Sequence, residues 1–457
     1  MEQTATAPQP GARNKYPSGF RPRRGLNWVS LGLMYAAYYM CRYNFRWAAP
    51  SLQKEYNFNY TEITQILSCW FWAYGIGQLV NGLLTDRIGG RRAMLIGAAG
   101  TIVMNFAFGA ASYSGTFTTF SMIWLIAGYF QAFGAPGMIK INAAWFSRTE
   151  RGTFSGIFGF MIQLGQFSIN QLAPMLLAGF TLFIWTVPAL HWRWLFWVPP
   201  LIAVIPAVMI ALFVKETPEQ AGFVNVHPDE VDHAHADVRV PLKESLLTIG
   251  RHPLVWLYAL AYACTGAVRH GSDQLAVLYF VNKLGLTLQM PAVQWTMQLM
   301  PLVAVGGSLG SGVISDKIFK GHRSPVAMVL YFMITVVIII AVILIEGFGM
   351  RGVFLSCFFL IMISLAVNAT HSIVGAAAPM DIGGRKMAGF ASGVIDSFQY
   401  FGAGIAVPLM GRLLDKYGWV SWFPTMAVFG FLGGCAMLLV MRKQRFLKAQ
   451  GHAHAND

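Results

Sequence analysis

The sequence predicts an all-α integral membrane protein with twelve transmembrane helices in two pseudo-symmetric six-helix bundles. Composition, a series of apolar windows and an internal repeat carry that expectation. Of the 457 residues, 56% are hydrophobic and only 11% charged, and the mean hydropathy is +0.52. A soluble chain of this size carries about 25% charged residues. The composition therefore excludes an ordinary soluble domain before any motif is considered.

Twelve apolar windows are long enough to cross a bilayer core. They run over 27–50, 61–85, 93–112, 117–146, 152–178, 194–215, 254–282, 290–315, 324–346, 352–379, 388–414 and 419–441. The stretch 179–193 is ambiguous between a re-entrant and a surface segment. The N-terminal tail is polar and basic, with Arg13, Lys15, Arg21, Arg23 and Arg24. The apolar run that follows is too long for a signal-peptide core and reads as the first span.

The expected organisation is a cytoplasmic tail over 1–26, a six-helix bundle over 27–215, a linker over 216–253, a second bundle over 254–441 and a cytoplasmic tail over 442–457. The linker is the least apolar segment. Placing both termini in the cytoplasm assigns 23 of the 33 Lys and Arg to the inner side. Seven fall outside (Arg46, Lys54, Arg193, Lys283, Arg351, Arg412 and Lys416), and Arg42, Lys140 and Arg269 lie within spans. That bias sets the orientation. It also explains the net charge of +14 without a nucleic-acid partner. Cys41, Cys69, Cys264, Cys357 and Cys435 lie in apolar segments without paired or metal-ligand spacing and read as small core residues. His233, His235, His452 and His454 read as solvated. No nucleotide loop, metal set or catalytic constellation is visible, so a non-enzyme without cofactor is expected.

The halves repeat. GLLTDRIGGRR (82–92) follows span two and GSGVISDKIFKGHR (310–323) follows span eight, with Asp86 and Asp316 separated by 230 positions. Arg42 and Arg269 are 227 apart, and FSGIFGFMIQLG (154–165) parallels ASGVIDSFQYFG (391–402). Duplicated bundles of this kind place a ligand site at the midplane between halves. Small residues in the loop after span two permit close helix approach. Asp86 with Arg87 and Arg91, and Asp316 with Lys317, are expected to gate the cytoplasmic face through charge contacts with neighbouring helix ends.

The two loops, with twelve spans and a duplicated half, resemble the signature of the major facilitator superfamily. Within it, YYMCRYNF (38–45), WFSRTERG (145–152), ETPEQAG (216–222) and VRHG (268–271) resemble the organophosphate:phosphate antiporter family, the group of the glycerol-3-phosphate and hexose-phosphate transporters. The resemblance implies a secondary active carrier of a small phosphorylated anion, exchanged for inorganic phosphate by rocker-switch alternating access. It implies a multi-pass monomer of the bacterial inner membrane. A sugar-phosphate sensor signalling to a kinase, and a proton-coupled organic-anion symporter, are the rival expectations.

A guanidinium facing lipid is expensive and stays charged. Two of them, one from each half, suit a phosphate approached from two sides, and in the resembled family the matching pair binds phosphate. Asp273 lies four residues after Arg269 and is spaced to pair with it. Tyr35 and Tyr39 share a helix face with Arg42, whereas Tyr38 reads as packing. With Tyr74 and Tyr400 they are cavity candidates by family match. Lys140 either joins the cavity or snorkels to the inner surface. Gln78 and Ile162 stand where the family has a lysine and a histidine, and Gln163 follows. The span-seven motif reads RHGSDQL without its usual Asp-Trp pair, and the double-proline pattern of span four is reduced to GAPG. Asn368, His371 and Asp396 are further polar candidates inside spans. Asp396 is open to three roles: accepting from a hydroxyl, carrying a proton or pairing with an arginine.

Overall fold

The computed structural model describes residues 16–147, 150–182, 185–224, 226, 250, 252–320, 322–347, 352–381 and 384–453. Thirteen α-helices are used below. In the first half these are α1 (Phe20–Tyr56), α2 (Tyr60–Ile88), α3 (Gly90–Ala110), α4 (Phe117–Gln131), α5 (Gly134–Trp145), α6 (Arg151–Ala178) and α7 (Val198–Phe213). In the second they are α8 (Pro253–Asn282), α9 (Pro291–Lys317), α10 (Arg323–Gly347), α11 (Gly352–Asp381), α12 (Gly384–Tyr417) and α13 (Trp422–Ala453).

Seven helical segments among the described residues are long and apolar enough to cross a bilayer by composition alone. Helices α1, α2, α6, α8 and α12 complete the twelve crossings and fall outside that set. They carry the buried charged groups and many of the buried polar ones, among them Arg42, Arg46, Asn81, Asn170, Arg269 and Asp273. Polarity that lowers their hydropathy is turned inward. Outward positions such as Leu212, Leu309 and Ile343 are more than 60% exposed, the surface expected of helices meant for lipid.

The fourth predicted span is not one helix. Ala132 and Phe133 form a tight turn between α4 and α5, with the Phe133 amide donating to Phe130 O at 3.2 Å. Pro136 follows in the first turn of α5 and has no amide to extend the α4 ladder. The ambiguous stretch 179–193 contains an antiparallel hairpin, Phe180–Leu182 against Trp185–Val187, followed by a 3-10 turn over Trp192–Phe196. Helix α1 begins at Phe20, so Arg21, Arg23 and Arg24 of the predicted tail are already helical.

Halves meet along α1 with α8, α2 with α12, and α6 with α9. Two backbone contacts within the halves express the duplication directly. A Cβ on Gly165 of α6 would stand 2.3 Å from the Ala36 carbonyl oxygen of α1. One on Gly402 of α12 would stand 2.1 Å from the Ala263 carbonyl of α8. Gly165 and Gly402 close the two parallel stretches seen in the sequence, and Ala36 and Ala263 are 227 apart, like the two arginines. The repeat is therefore one of helix packing, with glycine required where backbones touch.

At the end of the molecule away from Asp86, the halves are bolted together. The Asp415 carboxylate of α12 accepts from the amides of Tyr60 (2.9 Å) and Thr61 (2.8 Å), capping α2 across the interface. Asn59 and Glu62 complete a capping box on the same helix start. Asn282 donates to Gln53 at 2.6 Å, and Asn170 to the Met297 carbonyl.

At the opposite end, Glu150 accepts from Arg24 (2.9 Å), Tyr16 (2.9 Å) and the Ser147 amide (3.2 Å). Partial burial pushes its carboxyl up, but those hydrogen bonds outweigh burial and hold it below the usual range. A depressed carboxylate stabilises above the unfolded value and loses that contribution as pH falls through the folded one. Acidification below about pH 4 should therefore loosen the tether of residues 16–24. Faster amide exchange there in the wild type, matched at neutral pH by Arg24→Ala, is the expected result.

Candidate functional site

Between the halves lies a cavity of about 400 Å³. Tyr35, Tyr39, Tyr74, Gln78, Arg269, His371, Asp396 and Tyr400 line it, so the structure brings eight of the expected residues together. The lining extends to Gly82, one turn before Asp86, and to Gly393 and Gly375. The cavity therefore runs toward the end that bears the Asp86 loop, opposite the bolted end.

Arg42 is placed differently from Arg269. Its guanidinium carbon lies 4.4 Å from the Tyr39 ring centroid, 4.2 Å from Trp70 and 4.6 Å from Tyr74. Its Nε donates to Gln131 Oε1 at 3.2 Å. Three aromatic faces stabilise a desolvated cation; Arg42 and Arg269 are equally buried, each 3% exposed, but only Arg269 belongs to the cavity lining. Arg269 reaches the cavity and touches His371 Nε2 at 3.5 Å. His371 Nδ1 is bonded to the Tyr262 hydroxyl at 2.7 Å, with the two rings stacked. In this conformation the two arginines do not form an open two-sided clamp.

Four expected cavity residues lie elsewhere. Asp273 does not pair with Arg269. Its carboxylate accepts from the Tyr43 hydroxyl at 3.5 Å, and its carbonyl accepts from Arg46 at 3.2 Å. Arg46, expected outside the membrane, is 1% exposed. It also donates to Asn170 Oδ1 at 2.6 Å and lies over the Tyr43 ring. Arg46 and Asp273 are 227 apart. They are equivalent positions that meet near the pseudo-twofold axis bearing opposite charges. Asn368 donates to Ser364 O one turn back in its own helix, and Gln163 accepts from Gln166.

Lys140 donates to the Thr85 and Asp86 carbonyls at 3.0 and 2.9 Å, and its ammonium is 3.8 Å from the Asp86 carboxylate. It caps the C-terminus of α2, where a cation suits the helix dipole. Arg91 does the same for α7, donating to Ile210 and Ala211 carbonyls. The expected charge network of the first loop thus uses helix-end carbonyls. Arg87, Asp316 and Lys317 are exposed, with no hydrogen bond or ion pair among the described residues. Exposed pairs contribute about 0–1 kcal/mol. Lys140→Gln should therefore leave transport within about three-fold of wild type in a liposome uptake assay.

Sequence reasoning missed Gln131, Trp70, Tyr262, Arg46 and Gln399. Tyr262 had a usable signal: it precedes Arg269 by seven residues, as Tyr35 precedes Arg42. Gln399 lines the cavity three residues after Asp396. Trp70 and Gln131 had none, because their roles depend on α2 and α4 packing around α1. Among the described residues no cluster suited to a metal is present. Of the linker histidines and their tail counterparts, His233, His235 and His454 lie outside the described residues.

Twelve crossings, a duplicated bundle and a midplane cavity with buried cations define a membrane transporter fold. Residues 31–407 match the family model of the Major Facilitator Superfamily, and the chain belongs to that superfamily. It is 28% identical over 418 residues to the glycerol-3-phosphate transporter of Bacillus subtilis, covering 90% of each chain. It is 26% identical to the membrane sensor protein UhpC of Salmonella typhimurium, over 100% of this chain and 99% of that one. A bacterial homologue of the lysosomal transporter Spinster, solved inward-facing, superposes with a TM-score of 0.70 at 14% identity, covering 94% of this chain and 98% of that one. The protein is a multi-pass membrane protein of that superfamily.

Proposed function

We infer that the protein carries a small phosphorylated organic anion across the bacterial inner membrane, as a monomer with both termini cytoplasmic, in exchange for inorganic phosphate. One observation supports this above the rest: two buried guanidiniums at equivalent positions of the two halves, one open to the cavity and one sheathed beside it. The phosphoryl group first meets Arg269. Tyr39 and Tyr74 line the cavity and also cover Arg42, so their displacement brings the second guanidinium to the same anion. Arg42 exchanges ring faces for charge-assisted hydrogen bonds, which are stronger.

That exchange is what couples binding to the switch. A ligand shifts a conformational equilibrium only through differential affinity for its states. A phosphate held by both halves favours the closed state, in which both arginines reach it, over the open one. The bolted end, with Arg46, Asp273, Tyr43 and Asn170, then has to part. Because Arg46 and Asp273 are buried, separating them leaves charges that need water, so this end opens only when the other closes.

Phosphate-loaded proteoliposomes presented with glycerol, hexose and triose phosphates should release labelled phosphate. No release with any organophosphate overturns the reading. The sensor reading rests on the full-length similarity to a membrane sensor. It predicts binding of a sugar phosphate without exchange, so calorimetry beside the same liposomes separates the two.

A further inference from the structure

On the wall of the cavity formed by α12, Asp396 and Gln399 lie one turn apart and both belong to its lining. Asp396 is half-buried and has no hydrogen bond or ion pair among the described residues. It is the one acidic side chain in the described lining. Gln399 is fully buried, and neither its side-chain nitrogen nor its side-chain oxygen has a partner among the described residues. Such groups are costly to leave unmet. They sit across from Arg269, whose neighbour His371 is already committed to Tyr262.

We propose that Asp396 and Gln399 form a subsite for an ammonium group, so that the preferred substrate is an amino-organophosphate, anionic at one end and cationic at the other. This rests on the transporter reading above and names its substrate class. Charge decides it. Arg42 and Arg269 supply two positive charges, and a phosphate dianion cancels both. The Asp396 carboxylate then remains alone in a poorly solvated space. A hydroxyl on the substrate gives it one hydrogen bond and no charge. An ammonium neutralises it, and a second N–H can donate to Gln399 Oε1. The Tyr74 and Tyr400 rings, 4.3 Å apart across the halves, offer further faces for a cation. A substrate carrying an extra carboxylate is repelled by the same residue.

The test compares glucose 6-phosphate with glucosamine 6-phosphate, which differ at one hydroxyl, as external substrates for wild-type liposomes loaded with labelled phosphate at pH 7. Ethanolamine phosphate against glycerol 3-phosphate is the second pair. The ammonium member should half-saturate at a roughly ten-fold lower concentration, the scale of one buried charge pair, and Asp396→Asn should bring each pair within about two-fold. Equal affinities in the wild type overturn the assignment, as does a preference that survives Asp396→Asn. If sugar phosphates exchange without discrimination, only the ammonium subsite fails. If nothing releases phosphate, the transporter reading fails and takes the subsite with it.

Discussion

Arg269→Lys should lower phosphate exchange about 10- to 100-fold, while the purified carrier keeps its wild-type elution profile and thermal stability. Lysine retains the charge but presents a point cation in place of a planar fork of donors. Two parallel hydrogen bonds to phosphate oxygens become one. At about 1.5–3 kcal/mol for a hydrogen bond to a charged group, and a factor of ten per 1.4 kcal/mol, the loss reaches that magnitude. Arg42→Lys should fall to a similar level for a second reason: an ammonium fits the Tyr39, Trp70 and Tyr74 cage less well than a flat guanidinium and leaves Gln131 Oε1 without its donor. Stability is expected to suffer there too. Full exchange in both variants would exclude the two-arginine site.

The second large effect lies in packing. Gly266→Ala should lower the unfolding temperature sharply and abolish transport. A Cβ at this position of α8 would stand 1.8 Å from the Gln399 carbonyl oxygen of α12. The obstacle is backbone, so no side-chain rotation relieves it, and the helices must separate. On the same interface Gly402 of α12 abuts the Ala263 carbonyl. Each helix thus presents a glycine to the other's backbone, three residues from the carbonyl it offers in return. Separation moves Asp396 and Gln399 relative to Arg269, so structure and site fail together. Gly393→Ala, on α12 where a Cβ meets nothing within 4 Å, is the control and should retain the wild-type melting temperature. An unchanged melting temperature for Gly266→Ala would refute the contact.

Much of this was legible in the sequence, and the reasons are specific. Charge in an apolar window is rare enough that Arg42 and Arg269 stand out unaided. Their spacing of 227 then aligns the halves, and the same spacing relates Tyr35 to Tyr262 and Arg46 to Asp273. The loop after span two declares itself by glycine and charge. What was not legible depends on rotation about the helix axis. Asn368 and Gln163 look like Gln399 in one dimension. Yet Asn368 bonds along its own helix and Gln163 along α6, whereas Gln399 belongs to the cavity lining. Arg46, near the end of an apolar run, read as an outer-loop charge. Helix α1 continues to Tyr56 and buries it.

Composition and spacing thus pointed to the number of crossings, the duplication and the two intramembrane arginines, because each follows from the cost of charge and length in a bilayer, and the resemblance of the two loops pointed to the superfamily. Only the folded chain decided which polar groups share the cavity and which cap helices or bolt the halves together. Segments far apart in sequence, such as α1 with α8 and α2 with α12, determine what each side chain meets. That choice set Lys140 on the end of α2, drew Asp273 away from Arg269 toward Tyr43 and Arg46, and left Asp396 in the cavity lining without a hydrogen bond or ion pair among the described residues.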